Sequence, residues 1–472
     1  MQLSKSGERP VLSFVGLCLL LGAGHVLRSR IKLLQKLYLP SCIVGGILGL
    51  IIIQLFAAMD PGSGNIHAVN LELAGWSVPW SKLPGFLINV VFACLFLGVK
   101  LPSFSTICKR AGSQLAYGQI VAWGQYVVGL GLWIFALGWI FRDLPSMFAG
   151  ILPVGFEGGH GTAAGLAETF AQYSWPAGKD FALASATLGI TSAIIVGMIL
   201  VNWAVRNGFT QTVKNPASGQ PLDLTGTIPP KRRPMAGRLT VSSDVIESLS
   251  LHIVVVGIAV GLGYLAKEGL ISIEARVDYL AKNKFLSSFP LFPLCMLGGL
   301  VVQLVEQRFD TNRLIDSGLI RRIQNSSLDF LVVAAVATIK LELILAGLAP
   351  LLLLATAGIA WNVFCVMYLA RRVLPDAWFE RAIAEMGQSM GVTATGLLLL
   401  RVVDPDYETP AADAFACKQL VHEPFMGGGL WTGAAIPLIA IYGAPVVLLI
   451  STVALAFWFA VVFRARIFRA IR

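Results

Sequence analysis

Residues Glu385–Gly396 read EMGQSMGVTATG, and two incompatible folds lay claim to them. Gly387-Gln-Ser389-Met-Gly391 fits the G-x-S-x-G pattern of a hydrolase nucleophile elbow, with Asp404 and His422 following in suitable chain order. Such an elbow needs a strand before the serine and a helix after it, so that the hydroxyl stands exposed at the edge of a sheet. The same residues also read as a glycine- and hydroxyl-rich interruption in an apolar segment. The surrounding sequence decides between the two.

Only 13% of the 472 residues are charged, 56% are hydrophobic and the mean hydropathy is +0.75. A soluble domain carries roughly 25% charged residues, so the chain reads as an all-α polytopic membrane protein with no soluble catalytic domain left over. Apolar runs long enough to cross a hydrocarbon core are expected near 11–27, 38–57, 86–100, 117–141, 181–205, 249–266, 287–305, 327–345, 347–370, 420–442 and 445–463, about eleven spans in all. The stretch before Glu385 is therefore no strand of a parallel sheet, and the hydrolase reading fails on context.

The net charge of +10 does not indicate nucleic acid, because the basic residues sit in short loops between spans and in the series Arg464, Arg466, Arg469, Arg472. The seven cysteines stand singly, mostly in apolar runs, and read as free packing thiols. Residues 11–27 resemble the apolar part of a signal peptide, but the basic run from Arg28 to Lys36 marks an uncleaved first span.

Residues 206–248 are polar and contain Pro216, Pro221, Pro229 and Pro230, which marks a linker between an N-terminal repeat (1–205) and a C-terminal repeat (249–472). Pro40-Ser-Cys42-Ile-Val-Gly45-Gly46 recurs as Pro293-Leu-Cys295-Met-Leu-Gly298-Gly299; Lys100-Leu101 recurs as Lys340-Leu341; Thr162-Ala163-Ala-Gly165 recurs as Thr393-Ala394-Thr-Gly396. The separation shrinks steadily along the chain, as a duplication with small deletions in its second copy would give. Basic loops at 28–37, 206–248 and the C-terminus are expected on the cytoplasmic side, which puts the N-terminus outside. Segments 146–172 and 378–403 must then each enter and leave on one face, from opposite sides of the membrane. The two repeats are inverted, an arrangement common in secondary transporters.

Each re-entrant segment carries a polar, glycine-rich tip. The first is Pro153-Val-Gly-Phe-Glu157-Gly158-Gly159-His160-Gly161-Thr162, and the second supplies Gln388, Ser389, Gly391, Thr393, Thr395 and Gly396. Irregular backbone at membrane depth is tolerated only where protein or a watery cavity satisfies it. Half-helix N-termini favour a carboxylate, while opened carbonyls and hydroxyls suit a hard cation such as sodium. Glu157, Gly158, Thr162, Gln388 and Thr393 are the candidate sodium ligands. Gly159, His160, Gly161, Thr162, Ser389, Gly391, Thr393, Thr395 and Arg401 are the candidate substrate contacts. Glu157 and His160 either neutralise each other or face the pathway, and Arg401 either pairs with Asp404 or meets an anionic substrate. Gly257 and Gly261 read as a close-packing stripe.

Gly158-Gly-His-Gly-Thr162, the Gly45-Gly46 span, Met390-Gly-Val-Thr-Ala-Thr-Gly-Leu-Leu-Leu-Leu-Arg401-Val-Val-Asp404-Pro405 and Glu423-Pro-Phe-Met-Gly-Gly-Gly429 together resemble the bacterial sodium/glutamate symporter family, over nearly the whole chain. That resemblance implies a homodimer in the bacterial inner membrane, an elevator-like movement of a transport domain, and sodium-coupled uptake of L-glutamate. Its alternatives are a sodium- or proton-coupled carrier of another small carboxylate (aspartate, malate or citrate) and a passive ion channel. No enzyme activity is expected.

Overall fold

The computed structural model describes residues 3–36, 39–59, 64–99, 104–212, 233–283, 285–310, 313–405 and 408–470. Lys100-Leu101 of the second matched pair and residues 213–232 of the linker lie outside them. Among the described residues the regular structure is entirely helical. In chain order the principal helices are α1 (Leu3–Arg30), α2 (Ser41–Ala58), α3 (Gly64–Ala93), α4 (Phe104–Leu132), α5 (Ile151–Phe156), α6 (Gly159–Gly165), α7 (Gly178–Arg206) and α8 (Ser248–Glu274). They continue as α9 (Phe292–Phe309), α10 (Ser317–Ala337), α11 (Leu348–Phe364), α12 (Trp378–Ser389), α13 (Thr393–Val403), α14 (Ala411–Phe425), α15 (Leu430–Tyr442) and α16 (Ala444–Ala470).

Eight stretches of the described residues are helical, long and apolar enough to cross a membrane: Val11–Arg30, Ser41–Ala58, Ala111–Ile140, Gly178–Arg206, Ser248–Glu274, Leu348–Val373, Ala411–Tyr442 and Ala444–Arg464. Val78–Ala93, Ser146–Phe156 and Thr393–Val403 are shorter apolar helices. Three of the eleven expected runs are not among the eight: 86–100 falls at the end of the shorter helix Val78–Ala93, and 287–305 and 327–345 fall on Phe292–Phe309 and Ser317–Ala337, helices whose apolar character is broken by Glu306 and Arg308 and by Arg321, Arg322 and Asp329. Cys18, Cys42, Cys94, Cys295, Cys365 and Cys417 form no disulfide among the described residues.

The chain divides into two compact units, each drawing on both halves of the sequence. The first comprises Met1–Leu101, Asp223–Ile273 and Pro290–Lys340. Inside it the two Pro-Cys-Gly-Gly motifs do the same work. Pro40 caps α2 and Pro293 lies in the first turn of α9, where a missing N–H costs nothing because that turn has no intrahelical acceptor. A Cβ on Gly45 would lie 2.4 Å from the Leu20 carbonyl oxygen of α1, and one on Gly298 would lie 2.2 Å from the Ala259 carbonyl oxygen of α8. The next glycine serves a different neighbour: Gly46 lies against Val336 of α10, and Gly299 against the Ala93 carbonyl of α3.

Gly257 and Gly261 differ from their expected packing role. A Cβ at either would meet nothing within 4 Å, and the close approach on α8 is made by Gly263 against the backbone of Cys295.

The second unit comprises Pro102–Leu222, Glu274–Phe289 and Leu341–Arg472. Here α4 and α11 cross closely: the Trp361 indole packs on Gly124 and its Nε1 donates to the Val121 carbonyl at 2.9 Å. Both helices widen into a π turn at the end, Trp133–Leu137 and Cys365–Leu369. The separation of the two turns nearly equals that of Thr162 from Thr393.

Candidate functional site

All the candidate site residues fall in the second unit. The first interrupted segment runs through a 3-10 turn, Ser146–Gly150, into α5, whose last carbonyls reach only as far as Gly158. Gly159, at φ +67°, then turns the chain into α6, a conformation an L side chain rarely adopts. His160, Gly161 and Thr162 lie buried in α6. In the second segment α12 ends at Ser389, Met390–Val392 break the helix, and α13 starts at Thr393 with no side-chain cap.

The two breaks meet. A Cβ on Gly159 would lie 3.2 Å from Val392 Cγ1 and 3.5 Å from the Gly391 carbonyl oxygen. Gln388 Nε2 donates to Glu157 Oε2 at 3.0 Å. Around this junction lies a polar cluster that α4 and α14 complete. His422 of α14 also reaches Glu157 Oε2, through Nε2 at 3.3 Å, while its Nδ1 faces Gln119 Nε2 at 3.3 Å. Gln119 Oε1 takes the indole N–H of Trp123 at 3.0 Å, so its amide nitrogen is the end turned to histidine. The proton of His422 therefore belongs on Nε2, facing Glu157.

Lys418, fully buried on α14, donates to Glu385 Oε1 at 2.5 Å, Gln419 Oε1 at 2.8 Å and Gln388 Oε1 at 3.2 Å. Gln419 Nε2 passes the chain to Thr393 Oγ1 at 2.6 Å, and Thr393 Oγ1 in turn donates to Glu423 Oε2 at 3.3 Å. Glu385 Oε2 accepts from Gln114 Nε2 at 2.9 Å. Burying charge at this depth is costly unless it is paired and hydrogen-bonded, and most of these atoms are. Glu157 Oε1 and Thr162 Oγ1 differ: both are buried without a hydrogen-bond partner. Formally the cluster holds three carboxyl groups, Glu157, Glu385 and Glu423, against one ammonium.

Not every residue singled out from sequence reaches this cluster. His160 bonds Thr187 Oγ1 at 2.9 Å, which ties α6 to α7. Glu157 and His160 thus take separate partners. Arg401 is exposed near the C-terminal end of α13, about 12 Å along the helix from Thr393. Asp404 accepts from the Glu408 and Thr409 amides and from Thr409 Oγ1. Ser389 donates to Asn362 Oδ1 at 2.6 Å, and its carbonyl takes Gln125 Nε2, so its hydroxyl joins α12 to α11.

The sequence reading left out Lys418, Glu385, Gln419, Gln114 and Gln119, and gave His422 and Glu423 no part in this site. One signal was available in α14. Lys418 and His422, like Gln419 and Glu423, stand four residues apart and share a helix face.

Membrane-length helices and two interrupted ones that enclose a charged cluster define a polytopic membrane protein of the broken-helix type, the architecture in which secondary transporters hold their cargo. The sodium/glutamate symporter family model matches residues 10–408, and the chain belongs to that family. A sodium/glutamate symporter of Haemophilus influenzae is 24% identical to it over 430 residues, which cover 88% of this chain and 93% of the relative. No solved structure matches the chain. Membership of a symporter family points to a transporter rather than an enzyme.

Proposed function

We propose that the protein is a secondary active transporter that takes up L-glutamate together with sodium, with the cargo held where the two interrupted segments meet. Glu157 carries the reading. One of its oxygens is spent on Gln388 and His422, and the other is buried without a partner. The carboxyl excess of the cluster favours a cation, and oxygen donors suit a small hard one. Thr162 Oγ1, also without a partner, adds a second oxygen from the same break, whereas Gln388 meets Glu157 through its nitrogen with its oxygen turned to Lys418, and Thr393 Oγ1 is held between Gln419 and Glu423.

The break at Glu157-Gly158 leads into the first amides of α6 and that at Met390–Val392 into those of α13, and both helices begin without a side-chain cap. Amides at a helix start favour a carboxylate. Ser389 and Thr395 are buried in the second segment, His160 fixes α6 to α7, and Arg401 is exposed at the far end of α13. Matched contacts at Gly45 and Gly298 and the matching π turns support a duplication. The basic loops support its inversion in a bacterial inner membrane. By family likeness the protein works as a homodimer in which the unit bearing the cluster moves to alternate access.

Labelled glutamate uptake into proteoliposomes tests the reading. Uptake should require an inward sodium gradient. Equal uptake with choline in place of sodium, under an imposed proton gradient, would remove sodium coupling. Competition by aspartate, malate or citrate stronger than by glutamate would move the proposal to another small carboxylate. Saturable counterflow should be seen, and flux far beyond a carrier's turnover would indicate a channel.

A further inference from the structure

Lys418 invites assignment as the partner of a substrate carboxylate, but its geometry rules that role out in this conformation. An ammonium group has three N–H donors, and all three are engaged, on Glu385, Gln388 and Gln419. The side chain is wholly buried. A Cβ on Gly118 of α4 would lie 2.5 Å from Lys418 Cε and 2.6 Å from Glu385 Oε1, so α4 closes over the pair and leaves no room for an anion beside it.

The ammonium is held by one carboxylate oxygen and two amide carbonyl oxygens. Those are hard oxygen donors, the set that alkali and alkaline-earth ions take in proteins. Each amide then turns its nitrogen to an interrupted segment: Gln388 to Glu157, and Gln419 to Thr393. A lysine can only donate and an ionised carboxylate can only accept. The positive charge therefore sets the orientation of both amides.

We propose that the Lys418 ammonium is a tethered counter-cation. It occupies a monovalent-cation site formed by Glu385, Gln388 and Gln419, and a chain in which the lysine is truncated takes up a free sodium or potassium ion there. In the native protein this charge travels with the chain and cannot dissociate, so the site needs one mobile cation fewer. The inference rests on the transport reading only in placing this site beside the cargo.

The test uses purified full-length protein without glutamate, melted in choline, sodium and potassium chloride. Lys418→Ala should melt below the wild type in choline and recover as sodium or potassium is added. The recovery should saturate and exceed the wild-type response by at least about 3 °C, as a ligand bound only by the folded state produces. Lys418→Ala/Glu385→Gln, which lacks the carboxylate, should lose that additional response.

A Lys418→Ala protein whose salt response equals that of the wild type, or that of the double variant, overturns the proposal. So does failure of Lys418→Ala to accumulate in folded form in any of the three salts, whether or not the double variant accumulates. Recovery of folded Lys418→Ala only in sodium or potassium supports it. Wild-type uptake decides sodium coupling separately, so either reading can fail without the other.

Discussion

Gln388 and Glu157 hydrogen-bond to each other at 3.0 Å across the junction of two interrupted segments, and they occupy equivalent places in the two halves of the chain. Each stands five residues before a threonine of the matched pair, Thr162 and Thr393. The duplication proposed above would bring equivalent residues together at its axis, and this contact has that form. The partners are nevertheless unlike, a carboxylate and an amide. The divergence lets one donate and the other accept, where two carboxylates would repel.

Glu157→Gln follows directly from that contact. The amide keeps the size of the carboxyl group but removes the charge offered to a cation. The sodium concentration for half-maximal uptake should rise at least about tenfold, equivalent to about 1.4 kcal/mol of binding. Fold and expression should be little changed. The measurement is sodium activation of glutamate uptake, and an unchanged half-saturation would take Glu157 out of the cation site.

Ser389 should behave as a structural hydroxyl. Among the described residues no imidazole is hydrogen-bonded to it, and it donates to Asn362 instead. A serine-reactive fluorophosphonate probe should leave it unlabelled. Ser389→Ala should lower the melting temperature, because a buried Asn362 oxygen loses its donor at a cost of about 1–3 kcal/mol. Stoichiometric labelling at Ser389 would revive the hydrolase reading.

Much of the architecture was legible from sequence because membrane helices are written in long apolar runs, and breaks at membrane depth need glycine, serine and threonine. Segment 378–403 does contain a break, at Met390–Val392, and segment 146–172 contains one at Glu157-Gly158. Lys418 was not legible in the same way. A lone lysine at the edge of an apolar run reads as the point where a span meets water, and the expected span began at residue 420, just beyond it. Its burial depends on Glu385 and Gln388, some thirty residues away. The three glutamines of α4 were passed over for the same reason, since a single sequence shows no partner for them.

The helix contacts in the first unit can be tested by size. Gly45→Val and Gly298→Val each push a side chain onto a backbone carbonyl of the neighbouring helix. Each should cost about 1–3 kcal/mol of stability through overpacking. Gly257→Ala meets nothing within 4 Å and should be neutral or stabilising, by up to about 1 kcal/mol, through helix propensity. Thermal melts of the three variants in one detergent decide this, and equal melting temperatures would contradict the contacts described for Gly45 and Gly298.

Thr162 and Thr393 occupy matched positions, but the structure separates their roles. Thr162 Oγ1 is buried and without a partner, so its hydroxyl contributes little to the fold and is available to cargo. Thr393 Oγ1 accepts from Gln419 and donates to Glu423, and so holds the cluster together. Thr162→Val keeps the shape and removes the hydroxyl. It should leave the melting temperature within about 1 °C, consistent with a change of a few tenths of a kcal/mol, while weakening the apparent affinity for sodium or glutamate. Thr393→Val should weaken affinity and also lower the melting temperature by about 2–4 °C, since a loss of about 1 kcal/mol accompanies the broken bonds. If both variants lost stability equally, Thr162 would have to be hydrogen-bonded within the protein. If both kept wild-type affinities, the junction of the two segments would not be where cargo binds.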